Sequence, residues 1–184
     1  MQIGCFVLIC RRSFKSIKIL RGEIMSWTYV HPDVINIPQP NPSTCWLACL
    51  QMLYVWKGRS ADEPLQQLNA DPDIFPDYWV NNGLAPDNCL TIARSLKLGC
   101  AGDGDADIDV LANAIKQHGP YWVVGEWKKK SAHVKVVTGC SPELNQVRMM
   151  NPWNPIDPVD FASIEDFNKR GDRWKVFGSF MYWN

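Results

Sequence analysis

"QPNPSTCWLACLQMLYVW", residues 39–56, passes from a proline-broken loop into an apolar run, with a Cys-Trp pair at the join. Apolar residues at 46, 47, 50, 53 and 54 recur at helical spacing, and Pro42, Ser43 and Thr44 are residues of the kind that start helices. The spacing predicts a helix over about 44–57, stopped by Gly58. A thiol at its start is notable, because the unpaired backbone N–H groups there carry partial positive charge and favour a thiolate.

Downstream, "SADEPLQQLNA" opens with Ser60 and Glu63 in capping-box spacing and predicts a short helix to about 69. Residues 71–85, "DPDIFPDYWVNNGLA", read as a loop carrying exposed aromatics, because prolines and Asn-Asn-Gly interrupt them. "PDNCLTIARSLKLG" predicts a helix with Pro86 in its first turn, and "DIDVLANAIKQHG" another, begun by Asp105 or Asp107 and ended at Gly119. The character then changes. "PYWVVGEW", "AHVKVVTGC" and "QVRMMNPW" are rich in β-branched and aromatic residues and read as strands of an antiparallel sheet. "SIEDFNKRG" reads as a short helix capped by Ser163, and "RWKVFGSFMYW" as a last strand. Helices first and strands later predict an α+β domain whose halves meet along a cleft.

The 184 residues are 46% hydrophobic, enough for one domain to bury about 70% of its unfolded surface without external staples. Bases and acids number 19 each, and no basic stripe interleaved with aromatics is present, which argues against a nucleic-acid partner. The cysteines at 5, 10, 45, 49, 89, 100 and 140 are odd in number and form no C-x-x-C pair, so they read as reduced, mostly buried thiols rather than a disulfide framework or zinc ribbon. Residues 1–24 carry net charge +4 and the remainder −4. The charges follow an apolar run too short to span a bilayer, the reverse of an export signal. This segment reads as an extension outside the fold, with Met25 a candidate true start and a membrane-surface or transport arm the alternative; residues 25–184 form the single domain. The protein is expected in the cytoplasm of its producer or delivered from it.

A reactive thiol needs an imidazole, oriented in turn by a third group. Of the three histidines, His118 ends a helix beside Gly119, where a cation complements the dipole, and His31 precedes a proline in an extended segment. His133 opens a strand at the mouth of the sheet, and Asn151 ends the next strand 18 residues on, within reach across a hairpin. The Cys45 backbone N–H and the side-chain amide of Gln39, six residues upstream, are candidate donors to an oxyanion. Cys49 reads as core, and Asp103, Asp105, Asp107 and Asp109 as capping residues rather than calcium ligands, lacking the glycine and terminal Glu of an EF-hand loop. No metal or cofactor is expected.

Gln39, Cys45-Trp46, His133 and Asn151-x-Trp153 occur in the order and setting of the papain-like cysteine proteases, which this chain resembles over residues 34–155. The resemblance implies Cys45 as nucleophile, His133 as general acid and base, Asn151 as orienter and Gln39 as oxyanion donor. It implies Trp153 as a cover over the His133–Asn151 pair. Trp46, Trp79 and Trp153 are candidate substrate contacts, with packing under the cleft the preferred reading for Trp46 and an Ω-loop packed on its own aromatics the equal alternative for Trp79. Cys45 lies only 88 residues before His133, against roughly 130–150 in the digestive and lysosomal branch. The spacing is closer to compact bacterial relatives: avirulence effector proteases, staphopain-type enzymes and bacteriocin-leader peptidases, the last usually with Asp in place of Asn151. The implied substrate is a protein or peptide, the implied role that of a bacterial effector or toxin acting as a monomer, with a cognate inhibitor or immunity protein as a possible partner. A deamidase, a transglutaminase-like toxin or a peptidoglycan amidase shares the same residue set, and a non-catalytic papain-fold binding module is the rival from another class.

Overall fold

A computed structural model describes residues 29–128 and 131–184; the N-terminal extension and Met25 lie outside them. The chain runs β1 (Tyr29–Val30), α1 (Cys45–Trp56), α2 (Glu63–Asn69), α3 (Pro76–Asn82), α4 (Pro86–Ser95), β2 (Gly99–Ala101), α5 (Ile108–His118), β3 (Tyr121–Lys128), β4 (Ser131–Ser141), β5 (Gln146–Met150), β6 (Val159–Ser163), α6 (Ile164–Asn168) and β7 (Phe180–Tyr182). The fold is α+β. Its antiparallel sheet has the order β2-β7-β3-β4-β5-β6, with β1 pairing to the far end of β4 where β3 has not yet begun.

Alternation along the strands gives the sheet two apolar faces. Trp122, Val124, Val134, Val136 and Met150 turn toward α1 and form the larger core. Val123, Val137, Val147, Met149 and Phe180 pack beneath Leu111 and Ile115 of α5 and Phe167 of α6. α1 buries nine of its twelve residues, as a helix apolar nearly all round must. Each large side chain so enclosed contributes about 2 kcal/mol of transfer free energy.

Capping followed sequence at two helices. Asp107 accepts from the N–H groups of Asp109 and Val110 at the start of α5, and Ser163 accepts from Asp166 at the start of α6. The stretch expected to be a loop over 71–85 contains α3 instead. Pro76 occupies its first turn, where the missing N–H costs nothing, so a residue read as a breaker is a starter. β2 has only three residues, too few for alternation to mark it, and β6, with the sequence VDFAS, holds a single β-branched residue. The last strand is confined to Phe180–Tyr182, preceded by a 3₁₀ turn at Asp172–Trp174. Among the described residues all five cysteines are free, and no helix is long and apolar enough to cross a membrane.

Candidate active site

The loop before α1 is organised by Asn41. Its carbonyl accepts from Thr44 N–H (3.3 Å), Thr44 Oγ1 (3.0 Å) and Gln39 Nε2 (2.7 Å), and its side chain accepts from Ser43 N–H (2.9 Å). The Thr44 hydroxyl is thereby turned back into the loop and does not cap α1. With no cap and no acid in the first turn, the leading N–H groups of the helix remain available to a charge that develops beside them.

Cys45 is the first residue of α1 and is almost fully buried. Its thiol meets β4 at a particular place. Val124 sends its N–H to Ser179 (3.1 Å), away from β4, so the Val124–Val134 pair is not hydrogen-bonded. The amide groups of Val134 therefore face the other side, beyond Met150, where β5 has ended. The two thiols of α1 fill that gap: Cys49 Sγ donates to the Val134 carbonyl (3.4 Å), and the Val134 N–H is near enough to the Cys45 thiol to favour its charged form. Burial pushes the Cys45 thiol above its ordinary range, and the N–H groups of Val134, Trp46 and Cys45 pull it down without reversing the shift. The helix start thus favours the thiolate as its electrostatics require, yet desolvation outweighs it. Cys49 is raised further, first by burial and then by the neighbouring Cys45 charge.

The strand registers assemble a polar group on the opposite sheet face. Val136 opposes Met150 and Met149 opposes Asp160, so His133, Lys135, Asn151 and Asp160 share one face. His133 Nε2 lies 2.8 Å from Asn151 Oδ1, which also accepts the Trp153 N–H at 3.0 Å. Asn151 Nδ2 donates to Asp160 Oδ2 (2.9 Å), and Lys135 Nζ pairs with the same oxygen (2.8 Å) while lying 5.0 Å above the Trp127 ring. These residues, with Pro42, Trp153 and Asn154, line a cleft of about 710 Å³. Trp127, Lys135 and Asp160 carry no signal in the sequence, because their meeting depends on the register of four strands.

The other histidines are engaged elsewhere, His31 with the Ile115 carbonyl (3.3 Å) and the Trp56 ring, His118 with the rings of Tyr121 and Tyr182. Gln39 is tied into the site by its backbone, donating its N–H to the carbonyl of Pro152 (3.0 Å) beside Asn151, while its Oε1 is buried without a partner. The three tryptophans expected at substrate divide. Trp153 is 57% exposed in the cleft wall. Trp46 is fully enclosed and Trp79 nearly so: their rings meet edge to face at 6.1 Å, Trp46 donates its indole N–H to the Trp79 carbonyl, and Trp122 donates to the Trp46 carbonyl. Their substrate role is corrected to packing under α1, since an indole sealed in the core has no surface to offer a ligand. The exposed aromatics of that segment are Phe75 and Tyr78. Among the described residues no three metal-ligating side chains gather.

Residues 29–172 match the family model of the papain-like cysteine protease AvrRpt2. Among solved structures, one assigned as a C39-like peptidase from Bacillus anthracis is 11% identical with a TM-score of 0.56, covering 85% of this chain and 97% of that one. The peptidase domain of Streptococcus ComA, a bifunctional ABC transporter involved in a quorum-sensing pathway, is 17% identical with a TM-score of 0.49, covering 80% of this chain and 94% of that one. No curated protein matches the chain.

Proposed function

This chain belongs to the papain-like cysteine protease AvrRpt2 family, and from that premise we propose that it hydrolyses peptide or amide bonds through Cys45, His133 and Asn151, with Gln39 at the oxyanion. The supporting observation is the position of the thiol. The N–H of Val134, the residue after His133, is near enough to the Cys45 thiol to favour its charged form, and Nε2 of that histidine lies 2.8 Å from Asn151 Oδ1. Because Oδ1 is fixed as an acceptor by the Trp153 N–H, Nε2 carries the hydrogen and Nδ1 is the basic nitrogen.

The chemistry follows from that tautomer. Burial keeps the thiol protonated, so its proton passes to His133 Nδ1 as the sulfur attacks the carbonyl carbon. The oxyanion is held by the Cys45 N–H and by the second hydrogen of Gln39 Nε2, the first being given to Asn41. Collapse breaks the C–N bond, His133 protonates the departing amine, and a thioester remains. Water then attacks with His133 as base and releases the acid. Resemblance to the avirulence effector proteases supports a protein substrate and an effector or toxin role.

An epoxide thiol trap tests the scheme. We expect Cys45 to be labelled ahead of the other six cysteines, and the preference to vanish in His133→Ala. Cys100, partly exposed, is the internal competitor: labelling spread evenly over the thiols sinks the reading.

A further inference from the structure

Asp160 takes no part in the scheme above, yet it ends the chain of hydrogen bonds that begins at His133. We propose that Asp160 is a positioning residue: by accepting from Asn151 Nδ2 it keeps that amide in one of its two orientations, and so decides which nitrogen of His133 carries the proton. The inference rests on the Cys45–His133–Asn151 reading.

A side-chain amide is nearly symmetric in shape, and turning it over exchanges a donor for an acceptor. In the observed orientation Oδ1 receives His133 Nε2–H and the Trp153 N–H, and Nδ2 gives a hydrogen to Asp160 Oδ2. Turned over, the amide would put oxygen against a carboxylate that can only accept, and nitrogen against a backbone N–H that can only donate. It would also present N–H to His133 Nε2, which would then have to accept, leaving the ring hydrogen on Nδ1. That is the nitrogen the scheme needs to take the thiol's proton, so the turned-over state is inert. Trp153 and Asp160 oppose it from the two ends of one amide.

Lys135 holds the carboxylate in place. Its Nζ is 2.8 Å from Asp160 Oδ2 with only 14% of its side chain exposed, and its cation lies over Trp127. The arrangement also accounts for Asn rather than Asp at position 151. A carboxylate there would face that of Asp160 at hydrogen-bond distance, and two such groups cannot both stay ionised.

What position 160 must supply is an acceptor, and Asn can supply one where Ala cannot. In the full-length protein, the His133-dependent rate of Cys45 alkylation by iodoacetamide should fall about tenfold to a hundredfold in Asp160→Ala, by analogy with the loss of the hydrogen-bond partner that orients a metal-ligating histidine. It should stay close to wild type in Asp160→Asn, which breaks the ion pair with Lys135 but can turn its oxygen to Asn151. A merely structural ion pair would make the two variants equally slow, and that result, or a wild-type rate in Asp160→Ala, overturns the proposal. Should Asp160→Ala fail to fold, ¹⁵N shifts of His133 in Cys45→Ala, taken at a pH well above the ordinary imidazole range, decide the matter. Hydrogen on Nε2 is expected, and hydrogen on Nδ1 overturns it. If wild-type Cys45 shows no His133-dependent alkylation, the functional reading itself fails; if it does and Asp160→Ala is unchanged, only this inference does.

Discussion

Two polar networks flank Gly125 on β3, and they end differently. On one side His133 is its cross-strand partner; on the other, a Cβ on Gly125 would strike Arg170. Arg170 is fully buried, and its guanidinium closes on the carbonyls of Gly102 (2.8 Å), Gly104 (2.8 Å) and Trp174 and on the Ser179 hydroxyl (3.0 Å). Each of those partners is fixed in the backbone or in a short side chain, and none exchanges protons near neutrality. The His133 network instead runs from a carboxylate through an amide to an imidazole at the wall of a cleft. A network that terminates on carbonyls clamps loops together; one that terminates on an imidazole in a cleft wall can exchange protons with what enters the cleft.

The comparison is broken most directly at Arg170. Arg170→Met keeps most of the volume but removes the donors to three carbonyls, each costing about 1–3 kcal/mol if left unpaired. Gly104 is exposed and can turn to water, so a loss near 3 kcal/mol in denaturant unfolding is expected. His133-dependent labelling of Cys45 should survive in the folded fraction. A variant that melts like wild type, or one that stays folded and loses the labelling preference, would erase the distinction between the two networks.

Protons supply the second contrast. Burial raises the Cys89 and Cys140 thiols from 9.0 to about 12. Folded-state values above the unfolded ones mean that the folded chain holds protons the unfolded chain releases, so stability is intact below about pH 8 and declines above it. Two such thiols remove about 2 kcal/mol between roughly pH 9 and pH 10. Urea midpoints measured across this window should fall, and should fall less in Cys140→Ala once its own cavity cost is subtracted. Between about pH 6 and 8, below the window in which the buried thiols ionise, the midpoint should be level whether or not Cys45 reactivity changes there. Parallel movement of both quantities there would mean that the site network carries stability as the Arg170 network does.

Much of this was legible in the chain. α1 was readable because its apolar run is continuous and its start residues are of one kind, and β3 to β5 because β-branched residues crowd into them. Of the candidates Gln39, Cys45, His133 and Asn151, the hairpin spacing correctly anticipated the His133–Asn151 contact, and the backbone of Gln39 bonds beside it at Pro152. α3 was misread because Pro76 has opposite meanings inside a helix and at its first turn. Trp79 reads as a loop aromatic because prolines and Asn-Asn-Gly surround it, whereas its indole joins that of Trp46 in the core. Lys135 and Asp160 were invisible for a different reason. Local sequence says nothing about which residue of one strand faces which residue of another, and Asp160 reaches Asn151 only through the register of β5 and β6.

Trp153 offers the smallest and most diagnostic change, since it belongs to the site network by its backbone and to the cleft by its side chain. Trp153→Ala retains the N–H that donates to Asn151 Oδ1 and removes an indole that is 57% exposed. Less than half of the residue is buried, so stability should fall by no more than about 1–2 kcal/mol. Iodoacetamide is small and needs no cleft wall, so its reaction with Cys45 should stay within about threefold of wild type, a change of under 1 kcal/mol. Peptide hydrolysis should suffer more, with kcat/KM down about tenfold, the value of one substantial apolar contact. If both rates fall together, the indole is acting as a shield over the His133–Asn151 bond, keeping water from competing for Oδ1. Trp153 would then belong with Asp160 among the residues that hold the imidazole, and the boundary between the network and the substrate cleft would have to be drawn one residue further out.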